Sequence, residues 1–151
     1  MIQEKLIDGF LYTTDKSKVD ISYVHHFLST KSYWAQEIPV SLVTKSIDHS
    51  ITICILDQQQ QVGFARVVTD HATFAYLGDV FVDENYRGKG LSKRLMEFIL
   101  SLDEVQDFRR FILGTRDAHS LYAQFGFRPI GYPDRFMEIH RPDPYRKSHE
   151  L

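Results

Sequence analysis

With one cysteine in 151 residues, Cys54, the chain has no means of forming an internal disulfide. The setting of that cysteine, ITICIL, predicts a buried strand thiol rather than an exposed nucleophile, and a reducing, cytoplasmic location is expected. No apolar run approaches the roughly 20 residues needed to span a bilayer. The opening MIQEKLIDGF also lacks the basic start and apolar stretch of a secretory signal, so no membrane partner is expected. Neither sign of charge dominates: 18 Lys and Arg face 20 Asp and Glu, for a formal net charge of -2. That balance gives no broad basic field, and nucleic acid is not the expected partner. Repeats, low-complexity tracts and a Pro/Gly/Ser linker are all missing, so residues 1–151 are expected to form one domain, with a core at about 8–140 and a solvated tail at 141–151. Among seven histidines only His25 and His26 are adjacent, with no HxH or HExxH spacing, so no metal site is expected.

What the chain does contain is alternating strand and helix pattern. GFLY (9–12) reads as a short strand, and Asp20 as the N-cap of a helix carrying Ile21, Val24 and Leu28. Pro39 opens a second helix in which Val40, Val43 and Ile47 share a face. The β-branched runs ITICIL (51–56) and VGFARVV (62–68) predict a hairpin, and FAYLGDVFV (74–82) a third strand. Leu91, Leu95, Met96, Ile99 and Leu102 trace the apolar stripe of an amphipathic helix. RRFILG (109–114) follows as a strand, AHSLYAQF (118–125) as a helix ending at Gly126, and FMEIH (136–140) as a last strand. The order predicts an α/β (α+β) fold with a mixed central sheet and helices on both faces.

Between the third strand and the amphipathic helix lies NYRGKGLS (85–92). Glycines at such a junction let backbone N–H groups point outward, and the helix N-terminus adds partial positive charge, so a phosphate is the expected guest. A nucleoside triphosphate would require GxxxxGK[ST]. Here Asp83 stands five before Gly88, and Lys89 is followed by Gly90, so that spacing fails. A dinucleotide would require GxGxxG, and no third glycine follows Gly88 and Gly90.

The run Arg87, Gly88, Lys89, Gly90, Leu91 and Ser92 resembles the (Q/R)xxGx(G/A) signature of the GCN5-related N-acetyltransferase (GNAT) family. TRDAHSLYAQFGF (115–127) resembles that family's second recurring stretch, a tyrosine helix closed by a GF turn. The resemblance covers roughly residues 8–140 and departs from the pattern at Ser92, where glycine or alanine is usual, and at Thr115, where many members carry asparagine. It implies a mostly antiparallel sheet and acetyl-CoA as acyl donor, with no metal. The loop residues would hold the pyrophosphate, while the backbones of Val80, Phe81 and Val82 would face the pantetheine and acetyl groups. Tyr122 matches the tyrosine that protonates the departing thiolate in many members. The family also leaves room for a homodimer.

Asp79, an acidic residue inside an apolar strand, has three readings. It is the base for the acceptor amine, an anchor for the acceptor's cation, or a structural carboxylate paired with Arg66. Tyr33, Trp34 and Arg66 are candidate acceptor contacts, and His119 stands three residues before Tyr122. The expected function is acetyl transfer to a primary amine of a small molecule or polypeptide by direct attack. The alternative is a noncatalytic acyl-CoA-binding sensor or regulatory module.

Overall fold

The computed structural model describes residues 1–145; residues 146–151, the end of the expected tail, lie outside the described residues. Six strands form one sheet in chain order: β1 (Glu4–Ile7), β2 (Phe10–Thr13), β3 (Ile51–Asp57), β4 (Gln60–Thr69), β5 (Phe74–Val82) and β6 (Arg110–Leu113). All neighbours are antiparallel except β5 and β6, which are parallel and joined through α3 (Leu91–Ser101). The remaining helices are α1 (Ile21–His26), α2 (Val40–Asp48) and α4 (His119–Ala123).

Side-chain alternation along the strands assigns the two faces. From β3, Ile53 and Ile55 point to one core together with Leu95, Met96 and Ile99 of α3, while Cys54 and Leu56 point to the other with Val24, Val43 and Ile47. Helices α1 and α2 thus cover one face, and α3 and α4 the other. In β5 the alternation changes phase, since Ala75 and Leu77 face the α3 side but so does Val82, leaving Phe81 on the α1–α2 side. The cause is a bulge: Phe64 pairs with Phe81 and Arg66 with Gly78, so Asp79 and Val80 together oppose Ala65. Asp79 takes φ 53°, a left-handed conformation that costs a non-glycine residue on the order of 1–3 kcal/mol.

Asp20 caps α1 by accepting from the Tyr23 N–H at 3.0 Å. The helix runs on as a π-helical turn through Phe27–Lys31, which delivers Tyr33 and Trp34 to the sheet. Three expectations are corrected. Residues 136–140 form no strand: Met137 and Ile139 are 98% and 83% exposed, and the outer edge of β6 carries no sheet partner among the described residues. The strand β1 was not anticipated, because EKLI is an exposed edge with no alternating signal. Val40 is exposed and leaves Val43 and Ile47 to fill the core.

Candidate active site

Strands β5 and β6 pair only from Phe74 with Arg110 to Leu77 with Leu113; beyond that β5 continues to Val82 with no strand paired to that edge among the described residues. Past Leu113 the chain turns into the loop before α4, and the strands separate. The backbone of residues 78–82 is therefore open on one side, at the bulge that reorients Asp79 and Val80. A cleft of about 890 Å3 occupies the separation. Val80, Gly114, Ala118 and Tyr122 line it from the split, and Trp34, Leu42, Arg66 and Tyr76 from the α1–α2 face.

A smaller cavity of about 230 Å3 lies at the start of α3, lined by Val82, Arg87, Gly88, Gly90, Ser92 and Leu121 among others. Gly88 and Gly90 both have φ 80°, and a Cβ built on either would meet nothing within 4 Å. The glycines are thus required by backbone conformation and by what approaches from outside, not by internal crowding. No side chain caps α3, whose first-turn N–H groups have no partner within the helix. The loop is braced from below: the Tyr86 hydroxyl donates to Asp57 at 2.7 Å, that of Tyr23 to Asp83 at 3.0 Å, and Lys89 lies 5.7 Å over the Tyr86 ring. The cavity and the cleft are linked by β5, with Val82 in one and Val80 in the other, and by α4, with Leu121 and Tyr122 divided likewise. These open N–H groups, positive-φ glycines and two cations fit a pyrophosphate with an extended arm running along β5.

Tyr122 is 9% exposed, and its hydroxyl has no hydrogen-bond partner among the described residues. Burial, then the neighbouring Tyr33, pushes its phenol above the ordinary value of 10.0, so it holds its proton at neutral pH. Asp79 is ion-paired: Oδ2 accepts from Arg66 Nε at 2.9 Å and Oδ1 from Trp34 Nε1 at 2.8 Å. Arg66 also donates through Nη1 to Ser50 Oγ at 3.1 Å. Tyr33 closes the other side of the split, its hydroxyl accepting from the Arg116 N–H at 3.0 Å under the Arg116 guanidinium, 4.0 Å from the ring. The segment 32–38 is thus a strap across the cleft, tied to β5 by Trp34 and to the loop before α4 by Tyr33.

The candidates from sequence fall into two connected groups, then: Arg87, Gly88, Gly90, Leu91 and Ser92 at the small cavity, which Lys93 lines and Lys89 does not, and Asp79, Val80, Tyr122, Tyr33, Trp34 and Arg66 at the cleft. Phe81 turns its side chain into the α1–α2 core, stacked on Phe27 at 3.8 Å, so only its backbone faces the split edge. Thr115 accepts from the Ala118 N–H at 3.1 Å and serves as a cap before α4. His119 is exposed and does not line the cleft. Among the described residues no group of three or more His, Cys, Asp or Glu is placed to hold a metal. Likewise no helix there is long and apolar enough to cross a membrane. Sequence reasoning missed Tyr76, Lys45, His49 and Tyr145, all of which line the cleft. Gly78 inside a strand was the available signal for the bulge. Residues 141–144 of the expected tail are exposed, while Tyr145 is half-buried where it lines the cleft.

Comparison with known proteins bears on this geometry. Residues 48–129 match the model of the acetyltransferase (GNAT) domain. A solved structure of a GNAT-family protein from Xanthomonas campestris pv. campestris is 45% identical, covers 92% of this chain and 98% of its own, and superposes with a TM-score of 0.90. A GNAT acetyltransferase from Elizabethkingia anophelis, solved with acetyl-CoA bound, shares the fold at 14% identity and a TM-score of 0.62, covering 87% of this chain and 88% of its own. A protein from Gibberella zeae assigned as an acetyltransferase is 23% identical over 135 residues, 76% of each chain.

Proposed function

The chain belongs to the GNAT family and is an enzyme of the N-acetyltransferase class; from that premise we propose that acetyl-CoA is its acyl donor and a primary amine of a small molecule or polypeptide its acceptor. The observation that carries this reading is the continuous path from the open N-terminus of α3, along the edge of β5 beyond its pairing with β6, to the hydroxyl of Tyr122 in the cleft. Arg87, Lys89 and the N–H groups at Gly88, Gly90, Leu91 and Ser92 hold the pyrophosphate. Val80, Phe81 and Val82 offer backbone groups to the arm, and an N–H of this edge stabilises the developing oxyanion.

When bound, acetyl-CoA supplies an acetyl thioester: the amine nitrogen forms a bond to the carbonyl carbon and the carbon–sulfur bond breaks. Tyr122 Oη gives its proton to the departing sulfur and is reprotonated from solvent. Asp79 receives the proton lost by the amine and passes it to water. A carboxylate has about four lone-pair sites, and Arg66 and Trp34 occupy one on each oxygen. Transfer is direct because Cys54 is fully buried and its thiol is pushed up to about 12 by burial, which leaves no thiolate to form an acetyl-enzyme. A homodimer is part of the proposal, supported by the open edge of β6 and the exposed Met137 and Ile139.

A screen of amino acids, polyamines, aminoglycosides and peptide N-termini, read by release of free thiol, tests the reading. Amine-dependent release is expected. Tight acetyl-CoA binding with no release for any amine favours the sensor module instead. Asp79→Asn is expected to lower kcat/KM for the amine while acetyl-CoA affinity and thermal stability hold. A purely structural Asp79 predicts that thermal stability falls along with the rate.

A further inference from the structure

We propose that the acceptor amine carries a carboxylate, received at the α2 end of the cleft by Arg66, with Lys45 and His49 beside it. The inference rests on the acetyltransferase reading and names the substrate class of the same site.

Arg66 supplies the main observation. Of its three nitrogens, Nε is used by Asp79 and Nη1 by Ser50, while Nη2 makes no hydrogen bond among the described residues. The side chain is only 19% exposed. Nη2 is not among the fully buried unpaired atoms, so it is open to the cleft, where a ligand or water completes it. Nη2 faces the one position of β5 without a side chain, since a Cβ on Gly78 would come to 4.0 Å from it and to 3.0 Å from the Tyr76 ring. Gly78 is not at positive φ, so its bareness serves space rather than backbone conformation. Any larger residue would push Tyr76 and narrow the approach to Nη2.

Beside the Arg66–Asp79 pair the cleft carries a further cation and an imidazole. Lys45 and His49 stand four apart toward the end of α2, on one side of the helix, and both line the cleft. Neither has an ion-pair partner among the described residues. His49 precedes Ser50, which accepts from Arg66 Nη1, and Lys45, His49 and Arg66 all line the one cleft. Asp79 balances Arg66, and Lys45 is left without a counter-ion. The other acid lining the cleft, Asp117, lies in the loop before α4, next to Ala118 and on the Tyr122 side. The C-terminus of α2 accounts for a lysine in its last turn, but not for the open Nη2 or for Gly78.

Asp79 and Arg66 in contact form a fixed pair of opposite charges. An acceptor whose ammonium meets Asp79 and whose carboxylate meets Arg66 Nη2 matches that pair, and such an acceptor is an amino acid or a close analogue. Amines bearing only further cations bring like charge to Lys45 and Arg66 and are disfavoured.

Matched acceptors test this: α-amino acids against their carboxamides, and β-alanine against β-alaninamide, with acetyl-CoA and thiol release as the readout. The acid of the best pair is expected to exceed its amide by roughly tenfold or more in kcat/KM, mainly through KM, as for a hydrogen bond to a charged group. Lys45→Ala and Arg66→Gln should each narrow the acid-to-amide ratio. Lys45 is exposed, so its variant folds whatever becomes of Arg66→Gln. Equal or better turnover of the amides, a preference for polyamines, or no acetylation of any carboxylated acceptor overturns the proposal. Calorimetry with acetyl-CoA alone separates the failures: intact donor binding with one of those outcomes sinks only the carboxylate inference, whereas absent donor binding sinks the acetyl-CoA reading and this inference with it.

Discussion

Tyr122→Phe is expected to lower kcat by about 10²-fold to 10⁴-fold, the range for loss of a positioned general acid, while acetyl-CoA affinity stays within about twofold. The ring is retained in this substitution, so the edge-to-face contact with Phe127, with centroids 6.0 Å apart, survives and the core around α4 remains filled. Only the hydroxyl is lost. Because that hydroxyl has no protein partner among the described residues, its removal leaves no buried group unsatisfied. Burial raises the phenol above 10.0, so the acid is fully protonated through neutral pH and the alkaline limb of kcat should lie above that value. In the variant that limb should vanish. Steady-state kinetics across pH, with calorimetric titration of acetyl-CoA, checks both halves. An unchanged kcat would assign Tyr122 to packing alone.

Gly90→Val should abolish acetyl-CoA binding at ordinary concentrations and leave a folded protein. Gly90 sits at φ 80° as the N-cap of α3, where a side chain has open space around it. Steric conflict inside the protein is therefore absent, and the folding cost is the left-handed backbone, on the order of 1–2 kcal/mol, more for a β-branched residue. For a chain of this length that corresponds to a loss of a few degrees in Tm. The ligand suffers more, because the added methyls stand where N–H groups must approach phosphate oxygens. Each hydrogen bond to a charged group contributes about 1.5–3 kcal/mol, so losing two weakens binding by roughly 10²-fold or more. Ser92→Gly is the control, with affinity expected to hold because the backbone rather than the hydroxyl makes the cradle. Calorimetry and thermal unfolding on the two variants distinguish this account from a loop whose glycines only shape a turn.

Much of the fold was legible because its signals are local. The stripe Leu91, Leu95, Met96, Ile99 and Leu102 is buried as its spacing predicts, and β5 spans the residues expected of it. The failures share a cause, since each depends on what lies across space. Residues 136–140 have strand-like composition, but a strand also needs an edge to pair with, and that is not written in five residues. The edge strand β1 buries too little to alternate. At the site, Asp79 is conspicuous as an acid in an apolar strand, and pairing with Arg66 is what its structural reading expects. The Trp34 hydrogen bond, 45 residues away in sequence, was not foreseeable, nor was the bulge that turns Asp79 to meet it. Lys45 and His49 look like ordinary exposed helix residues until α2 is laid beside the cleft.

The strap formed by residues 32–38 ties the two sides of the cleft together. Trp34 fixes the bulged part of β5, and Tyr33 fixes the loop that leads into the helix of Tyr122. On the proposed reading, acceptor and donor would then meet across one split rather than on separate surfaces. Positioning of this kind is the larger share of what a protein contributes when donor and acceptor already carry the reacting groups.

A single-turnover experiment tests the central claim most directly. Enzyme in excess is mixed with acetyl-labelled acetyl-CoA and an amine acceptor, and product and intact protein are followed by mass. Direct transfer predicts label on the acceptor nitrogen in step with thiol release, and at no time on the protein. Label appearing first on the protein, or thiol release indifferent to the amine, would contradict it.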